Sequence, residues 1–319
     1  MRVICAGLAT VDLVYRVDRI PGVDEKAEAT DAEIASGGPA TNAAVAAAAL
    51  GAEVTLVTAV GAHPLGGLIR AELAARGVRL VDAAAGAAAP PPISAIMVLR
   101  ATGQRTLVSR NAAGTAVGVP GDLDGVLASA DAVLVDGHHP ALAVAAARAG
   151  RPLVVDAGSW RPVFAEVLPH ATVAACSAAF RHPAAGGPRP AGRPEARPAG
   201  HPEAGPAGRP DDEGGDAATA RAVRAAGARH VAITHGPDPI AWWSPGGSGI
   251  VAVAPVAAAD TTGAGDVFHG ALAVAAARDP GLADLPAALR YAAGVAGIRV
   301  AHPGPRAWLG DPRLTAFTA

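Results

Sequence analysis

The chain has 319 residues, 51% of them hydrophobic and 17% charged, and a formal net charge of -2. That apolar content suffices for one large core or two modest ones, which excludes the disordered class. No positive field is present to recruit nucleic acid or an anionic membrane, and four Trp, two Tyr and four Phe are too few for a platform stacking single strands.

In chain order, RVICAGLATVDL reads as a buried first strand running into a glycine turn. ATNAAVAAAALG predicts a helix from about Asn42, ended by Gly51. EVTLVTAVG is the next strand and LGGLIRAELAARGV the next helix, ending near Gly77. Further on, ADAVLVDG, PALAVAAARAG, PLVVDAG, ATARAVRAAGA and HVAITHG continue as strand and helix in turn. This alternation predicts an α/β fold, doubly wound, with a mostly parallel sheet and helices on both faces.

Two stretches, 13–36 and 93–112, alternate apolar and polar residues at a strand period, the second around a Thr102-Gly103-Gln104 turn. They predict a small separate β-sheet acting as a lid. Residues 181–216, with loose PAGRP and PAGHP repeats and no apolar periodicity, read as a disordered Pro/Ala/Gly/Arg-rich insertion within a single 1–319 domain. Cys5 and Cys176 lack metal or disulfide spacing and suit a reducing compartment. The opening MRVICAGLATVDLVY lacks the apolar core and cleavage site of a signal peptide. No run of about 18 apolar residues appears, so a cytoplasmic protein without membrane or nucleic-acid partners is expected.

The segment DTTGAGDVFHG, 260–270, opens a helix after a run of small residues. Gly263, Ala264 and Gly265 allow backbone N–H groups to point into one concavity at a helix N-terminus, a natural anion site. A carboxylate there, Asp266, repels a bound phosphate unless it takes a proton from an attacking hydroxyl. The plain alternative is an Asp favoured by the helix dipole. No Gly-Lys-Ser/Thr follows, so this is not a Walker loop. SGGPATN, 36–42, sets two glycines and Asn42 at another helix start, where Asn42 could serve as an N-cap. Asp12 follows the first strand and could be a turn residue. In a parallel sheet the strand C-terminal ends share one edge, where Asp12, Gly38, Asn42 and Asp266 can converge on sugar hydroxyls. Arg105 and Asn111 on the lid read equally as exposed hairpin polarity or a clamp on the sugar. In DGHHP, 136–140, and DAGSWRP, 156–162, His138, His139, Asp156 and Arg161 end strands on the same edge. A dinucleotide-dependent oxidoreductase is disfavoured, because AGLATVD replaces G-x-G-x-x-G after the first strand.

Taken together, DTTGAGDVFHGAL and GGPATNAAVAAAALG resemble the two signatures of the ribokinase-like (PfkB) family of carbohydrate kinases, with VDAGSWRP, AITHG and RVAHPGP in the family's order. The resemblance covers the chain apart from 181–216. It implies an ATP-dependent, Mg²⁺-assisted phosphotransfer to the hydroxyl of a ketose or furanose-like sugar. Asp266 would be the base and Gly263, Ala264 and Gly265 the anion hole, with Asp12, Gly38 and Asn42 on the sugar. Thr234, Gly236, Thr262 and Ala293 would lie near the nucleotide. A homodimer through the lid is one assembly compatible with it. There are departures: AACSAAFRH has Ser177 and no acid where the family often has Asn-x-x-Glu, His63 replaces a common acid, and Ala293 a frequent asparagine. The metal ligands are therefore left unassigned, and a catalytically impaired sugar- or nucleoside-binding regulator is the alternative.

Overall fold

The computed structural model describes residues 1–185 and 215–318. The first half contains β1 (Arg2–Ala6), β2 (Thr10–Val17), β3 (Asp31–Gly37), α1 (Pro39–Ala49), β4 (Glu53–Thr58), α2 (Pro64–Ala75), β5 (Val78–Asp82), β6 (Ile93–Leu99) and β7 (Arg105–Ser109). Then come α3 (Leu123–Ala128), β8 (Ala132–Val135), α4 (Pro140–Ala147), β9 (Leu153–Ala157), α5 (Phe164–Val167) and β10 (Val173–Ser177). The last part holds α6 (Gly215–Ala225), β11 (His230–His235), β12 (Asp238–Ser244), β13 (Gly247–Val251), α7 (Ala264–Arg278) and α8 (Leu285–Val300).

Nine strands form one sheet in the order β13-β12-β11-β10-β9-β8-β1-β4-β5. From β11 to β5 every pairing is parallel; β12 and β13 extend the edge antiparallel. Strands buried on both faces explain the unbroken apolar runs. In β1, Val3 and Cys5 point into one core with α1, α2, α7 and α8, while Ile4 and Ala6 point into the other with α3 to α6. Both cysteines are buried free thiols, and burial pushes them well above the usual thiol range. Because β1 sends the chain first toward β4 and β5 and later the other way to β8, the topological switch lies between β1 and β8, where ligands of such sheets bind.

A second sheet has the order β3-β2-β6-β7. Its pairing places Asp12 beside Ser94 and Ser94 beside Ser109, so these three share one face with Val14, Ile96 and Val98, a small cluster of their own. The other face carries Tyr15, Ile34, Ile93 and Val108, all exposed, Val108 at 70%. No helix among the described residues is long and apolar enough to cross a membrane.

One expected boundary moves, and two alternative readings are excluded. The first helix starts at Pro39 rather than about Asn42, because Gly38 turns the chain at φ 94° and proline suits the first helical position. Asn42 is thus inside α1 and is not its cap. Asp12 lies within β2 rather than in a turn. Most of the 181–216 stretch, residues 186–214, lies outside the described residues, but its ends are built into the fold. The His182 ring packs edge-on against Trp160, 4.6 Å between centroids, and Asp216 in the first turn of α6 pairs with Nε2 of His235 at 2.8 Å.

Candidate active site

The site forms where the first turns of α1 and α7 meet. These helices touch so closely that a Cβ on Gly270 would lie 2.4 Å from the Ala43 carbonyl oxygen. One turn upstream of Gly270, Asp266 accepts a hydrogen bond at Oδ2 from Nδ2 of Asn42, 2.7 Å away. Gly263 initiates α7 at φ 70°, a left-handed conformation that glycine adopts without strain, and no side chain caps the helix. The first intrahelical bond runs from Val267 N to Gly263 O, so the N–H groups of Gly265 and Asp266 precede the regular ladder and are aimed outward as a helix N-terminus requires.

The loop leading to this turn is anchored by Asp260, which is fully buried. Its carboxylate accepts from Thr262 N at 2.8 Å, Gly304 N at 3.1 Å and Arg16 Nη2 at 3.2 Å, with Arg299 Nη2 at 3.5 Å. A buried carboxylate needs such pairing to stay in place. Thr262 has its hydroxyl buried without a partner among the described residues. The tip of the β6–β7 hairpin rests on the same loop: Gly103 O accepts from both N and Oγ1 of Thr261, at 3.1 and 3.0 Å. Arg105 Nη1 donates to Thr261 O at 2.6 Å. Arg105 therefore reaches the backbone of the loop that leads into α7. Asn111 sits exposed past β7, at φ 49°, with its N–H on Ser109 Oγ.

Asp12 faces the site from the second sheet, 9% exposed. Burial foremost, together with the charge of Asp266, raises its carboxyl above the usual range, while hydrogen bonds from Thr10 and Ser94 and the Arg306 charge oppose the rise. A Cβ on Gly37 would lie 1.9 Å from Asp12 Oδ2, and one on Gly38 would lie 2.4 Å from the Leu8 carbonyl oxygen. Gly38 thus makes room for the protein's own main chain, and Gly37 for the Asp12 carboxylate.

At the switch point, Asp136 ties three segments together. It accepts from Leu8 N at 2.8 Å, Ala40 N at 3.2 Å and His138 N at 2.9 Å, with His138 Nδ1 at 3.2 Å. Burial alone would raise this carboxyl, but His138 and the donated N–H groups bring it down to about 2. His138 in turn contacts Arg161 Nη2. Asp156, at the end of β9, has its carboxyl pushed up to about 6, chiefly by burial; the His269 charge opposes the rise, and Asp266 and Asp136 add to it. His269 places Nδ1 3.4 Å from Asp156 and Nε2 3.1 Å from Ala175 O.

Of the residues expected near a nucleotide, Thr234 and Gly236 lie at the end of β11, three strands across from β8, with Thr234 Oγ1 donating to Cys176 O. Ala293 lies half-buried within α8. The sequence reading did not single out Arg306 and Glu72. Arg306 donates from Nη1 to Asn42 Oδ1 at 3.0 Å, from Nε to Glu72 Oε1 at 2.6 Å and from Nη2 to Ser36 O at 2.7 Å.

A doubly wound sheet with an uncapped helix N-terminus, a carboxylate on its first turn and a second sheet over the switch point has the architecture of the ribokinase fold. A ribokinase from Giardia lamblia superposes at a TM-score of 0.78 with 20% identity, over 99% of each chain. A ribokinase from Arabidopsis thaliana, complexed with ribose and ATP, gives 0.71 with 22% identity over 99% of this chain and 98% of that one. A fructokinase from Xylella fastidiosa with bound ATP gives 0.66 with 17% identity, over 99% and 97%. The sequence pattern of the pfkB family of carbohydrate kinases matches residues 1–179 and 201–310. The chain belongs to that family and is a sugar kinase, a phosphotransferase with an alcohol group as acceptor.

Proposed function

We propose that this kinase transfers the γ-phosphate of ATP to a hydroxyl of a ketose or furanose-like sugar, with Asp266 as the general base. The observation that carries the reading is the placement of the Asp266 carboxylate on the first turn of α7, beside an uncapped N-terminus and hydrogen-bonded to Asn42. A carboxylate beside an anion site works against phosphate binding, and taking the proton of the attacking oxygen is a role that accounts for its presence there. The turn Gly263, Ala264 and Gly265 would form the anion hole, its outward N–H groups stabilising the charge on the phosphoryl group as it passes from ATP to the sugar hydroxyl. Asp12 and Asn42 would hold the sugar, with Gly38 shaping the loop beside them, and Arg105 and Asn111 would close over it from the second sheet. Thr262, Thr234, Gly236 and Ala293 would border the nucleotide. Support for ATP and for a sugar acceptor comes from the ATP-bound fructokinase and the ribose- and ATP-bound ribokinase that share the fold.

Among the described residues no three His, Cys, Asp or Glu converge into a metal site. Mg²⁺ would then be held largely through the substrate phosphates and several waters, as this ion ordinarily is. The outward face of the second sheet, with Tyr15, Ile34, Ile93 and Val108 exposed, is the surface through which two copies would pair.

The test is ADP release measured across fructose, other ketoses, ribose, sugar acids and nucleosides. Saturable, sugar-dependent release supports the reading, and the best acceptor defines the sugar. Sugar binding without ADP release from any acceptor would instead favour the regulator.

A further inference from the structure

We infer that Arg306 is a positioning residue that fixes which end of the Asn42 side-chain amide faces Asp266 and the bound sugar. This rests on the proposed roles of Asn42 and Asp266. An amide looks nearly the same either way round, so its orientation is set by what flanks it. On one side of Asn42 stands a guanidinium, which can donate hydrogen bonds and cannot accept them; on the other stands the Asp266 carboxylate, an acceptor. Oδ1 must therefore face Arg306, 3.0 Å away, and Nδ2 must face Asp266, 2.7 Å away. With one Nδ2 hydrogen on Asp266, the second is left to donate to a sugar hydroxyl. Turned the other way, the amide would set its oxygen against the carboxylate and its NH₂ against the guanidinium, losing both hydrogen bonds.

Arg306 is itself fixed. Its Nε donates to Glu72 Oε1 at 2.6 Å and its Nη2 to Ser36 O at 2.7 Å, while Glu72 Oε2 accepts from Ser36 N at 2.6 Å. The Arg306 and Glu72 side chains are 11% and 18% exposed, and their opposite charges pair, so the unit brings no net charge into the site. A planar guanidinium serves three acceptors in fixed directions, which a lysine ammonium on a flexible stem does not. The unit also joins parts distant in sequence: Glu72 on α2, Ser36 on β3 of the second sheet, Asn42 on α1 and Asp266 on α7. Ser36 immediately precedes Gly37, against which Asp12 packs. Arg306 thereby holds the second sheet's β3, the Asn42 amide and the base in one arrangement, acting through Asn42 without touching the reacting atoms.

The test is a double-variant cycle of Arg306→Lys and Asn42→Ala in the full chain, using MgATP and whichever of D-fructose and D-ribose turns over faster. Lysine keeps a positive charge beside Glu72 and so preserves the buried pair; thermal unfolding and circular dichroism confirm the fold. Arg306→Lys alone should lower kcat/KM for the sugar at least about fivefold, by no more than Asn42→Ala does, while the KM for ATP stays within about threefold. In the Asn42→Ala background the same change should cost less than about threefold, because its point of action is gone. An equal cost in both backgrounds, no cost in either, or parallel losses for sugar and ATP would overturn the inference while leaving Asn42 as a sugar contact. If Asn42→Ala leaves sugar kinetics unchanged, the reading of Asn42 has failed and the inference falls with it.

Discussion

Nδ2 of Asn42 lies 2.7 Å from Oδ2 of Asp266, although 224 residues separate them along the chain. The contact exists because Gly270 lets α7 lie against the Ala43 backbone of α1, bringing two helix starts to one point. Those starts set a carboxylate and an amide side by side, next to the N–H groups at the start of α7.

Asn42→Ala tests the amide. Asn42 is the fourth residue of α1 and no cap, and alanine is a better helix former, so the fold should survive. A sugar hydroxyl left buried without its partner costs about 1–3 kcal/mol. The KM for sugar should rise at least about fivefold, and that for ATP less than about threefold. Steady-state kinetics with each substrate varied will decide; equal rises that track a lowered Tm would mark Asn42 as a packing residue.

Gly37→Ala tests the placement of Asp12. The new Cβ would fall 1.9 Å from Oδ2 of a carboxylate that also accepts from Thr10 Oγ1 at 2.6 Å, so the carboxylate must move. On the proposed role of Asp12 in holding the sugar, moving its carboxylate by about an ångström can cost about 100-fold in rate. The expected outcome is a kcat/KM for sugar lowered at least about tenfold with ATP binding retained, read by kinetics and by calorimetric titration of an ATP analogue. Unchanged sugar kinetics would show that Asp12 does not touch the sugar.

Much of this was legible in the sequence, for physical reasons that differ by residue. The parallel sheet followed from strands apolar on both faces, and the second sheet from alternation over 13–36 and 93–112. Asp266 stood out because two close glycines and a carboxylate at a helix start are unusual in so alanine-rich a chain. The register of Asn42 did not follow, since the signal for the helix start lay in Gly38 and Pro39 rather than in the amide. Arg306 was invisible: with 26 basic residues and Lys26 the single lysine, an arginine after a proline carries no distinguishing signal, and its partners Glu72 and Ser36 are set by tertiary contact. Asp136 and Asp260 owe their roles to burial, which the sequence shows only as an Asp following an apolar run.

Asp156→Asn gives a pH-dependent signature. The carboxyl of Asp156 is raised from 3.8 to about 6 in the fold, so the folded state holds its proton more tightly than the unfolded chain. Its contribution is fully present below pH 3.8 and is lost as pH rises through about 6, where the buried group must ionise. A shift of this size corresponds to at most about 3 kcal/mol. Asparagine removes the ionisation, so the Tm of the variant relative to the native protein should be at least about 3 °C more favourable at pH 7.5 than at pH 4.5. Scanning calorimetry at both values checks this; a difference independent of pH, or of opposite sign, would contradict it.

Asp266→Asn is the most direct measurement of the proposed chemistry. The amide has nearly the same shape and remains at the start of α7, so the fold, ATP binding and sugar binding should persist. It cannot accept the proton of the attacking hydroxyl. General-base assistance is worth about 10²–10⁴ in rate, so kcat should fall at least about 100-fold, with ATP affinity unchanged or slightly tighter. A folded Asn variant that binds both substrates and turns over at more than about a third of the native rate would contradict Asp266 as the base.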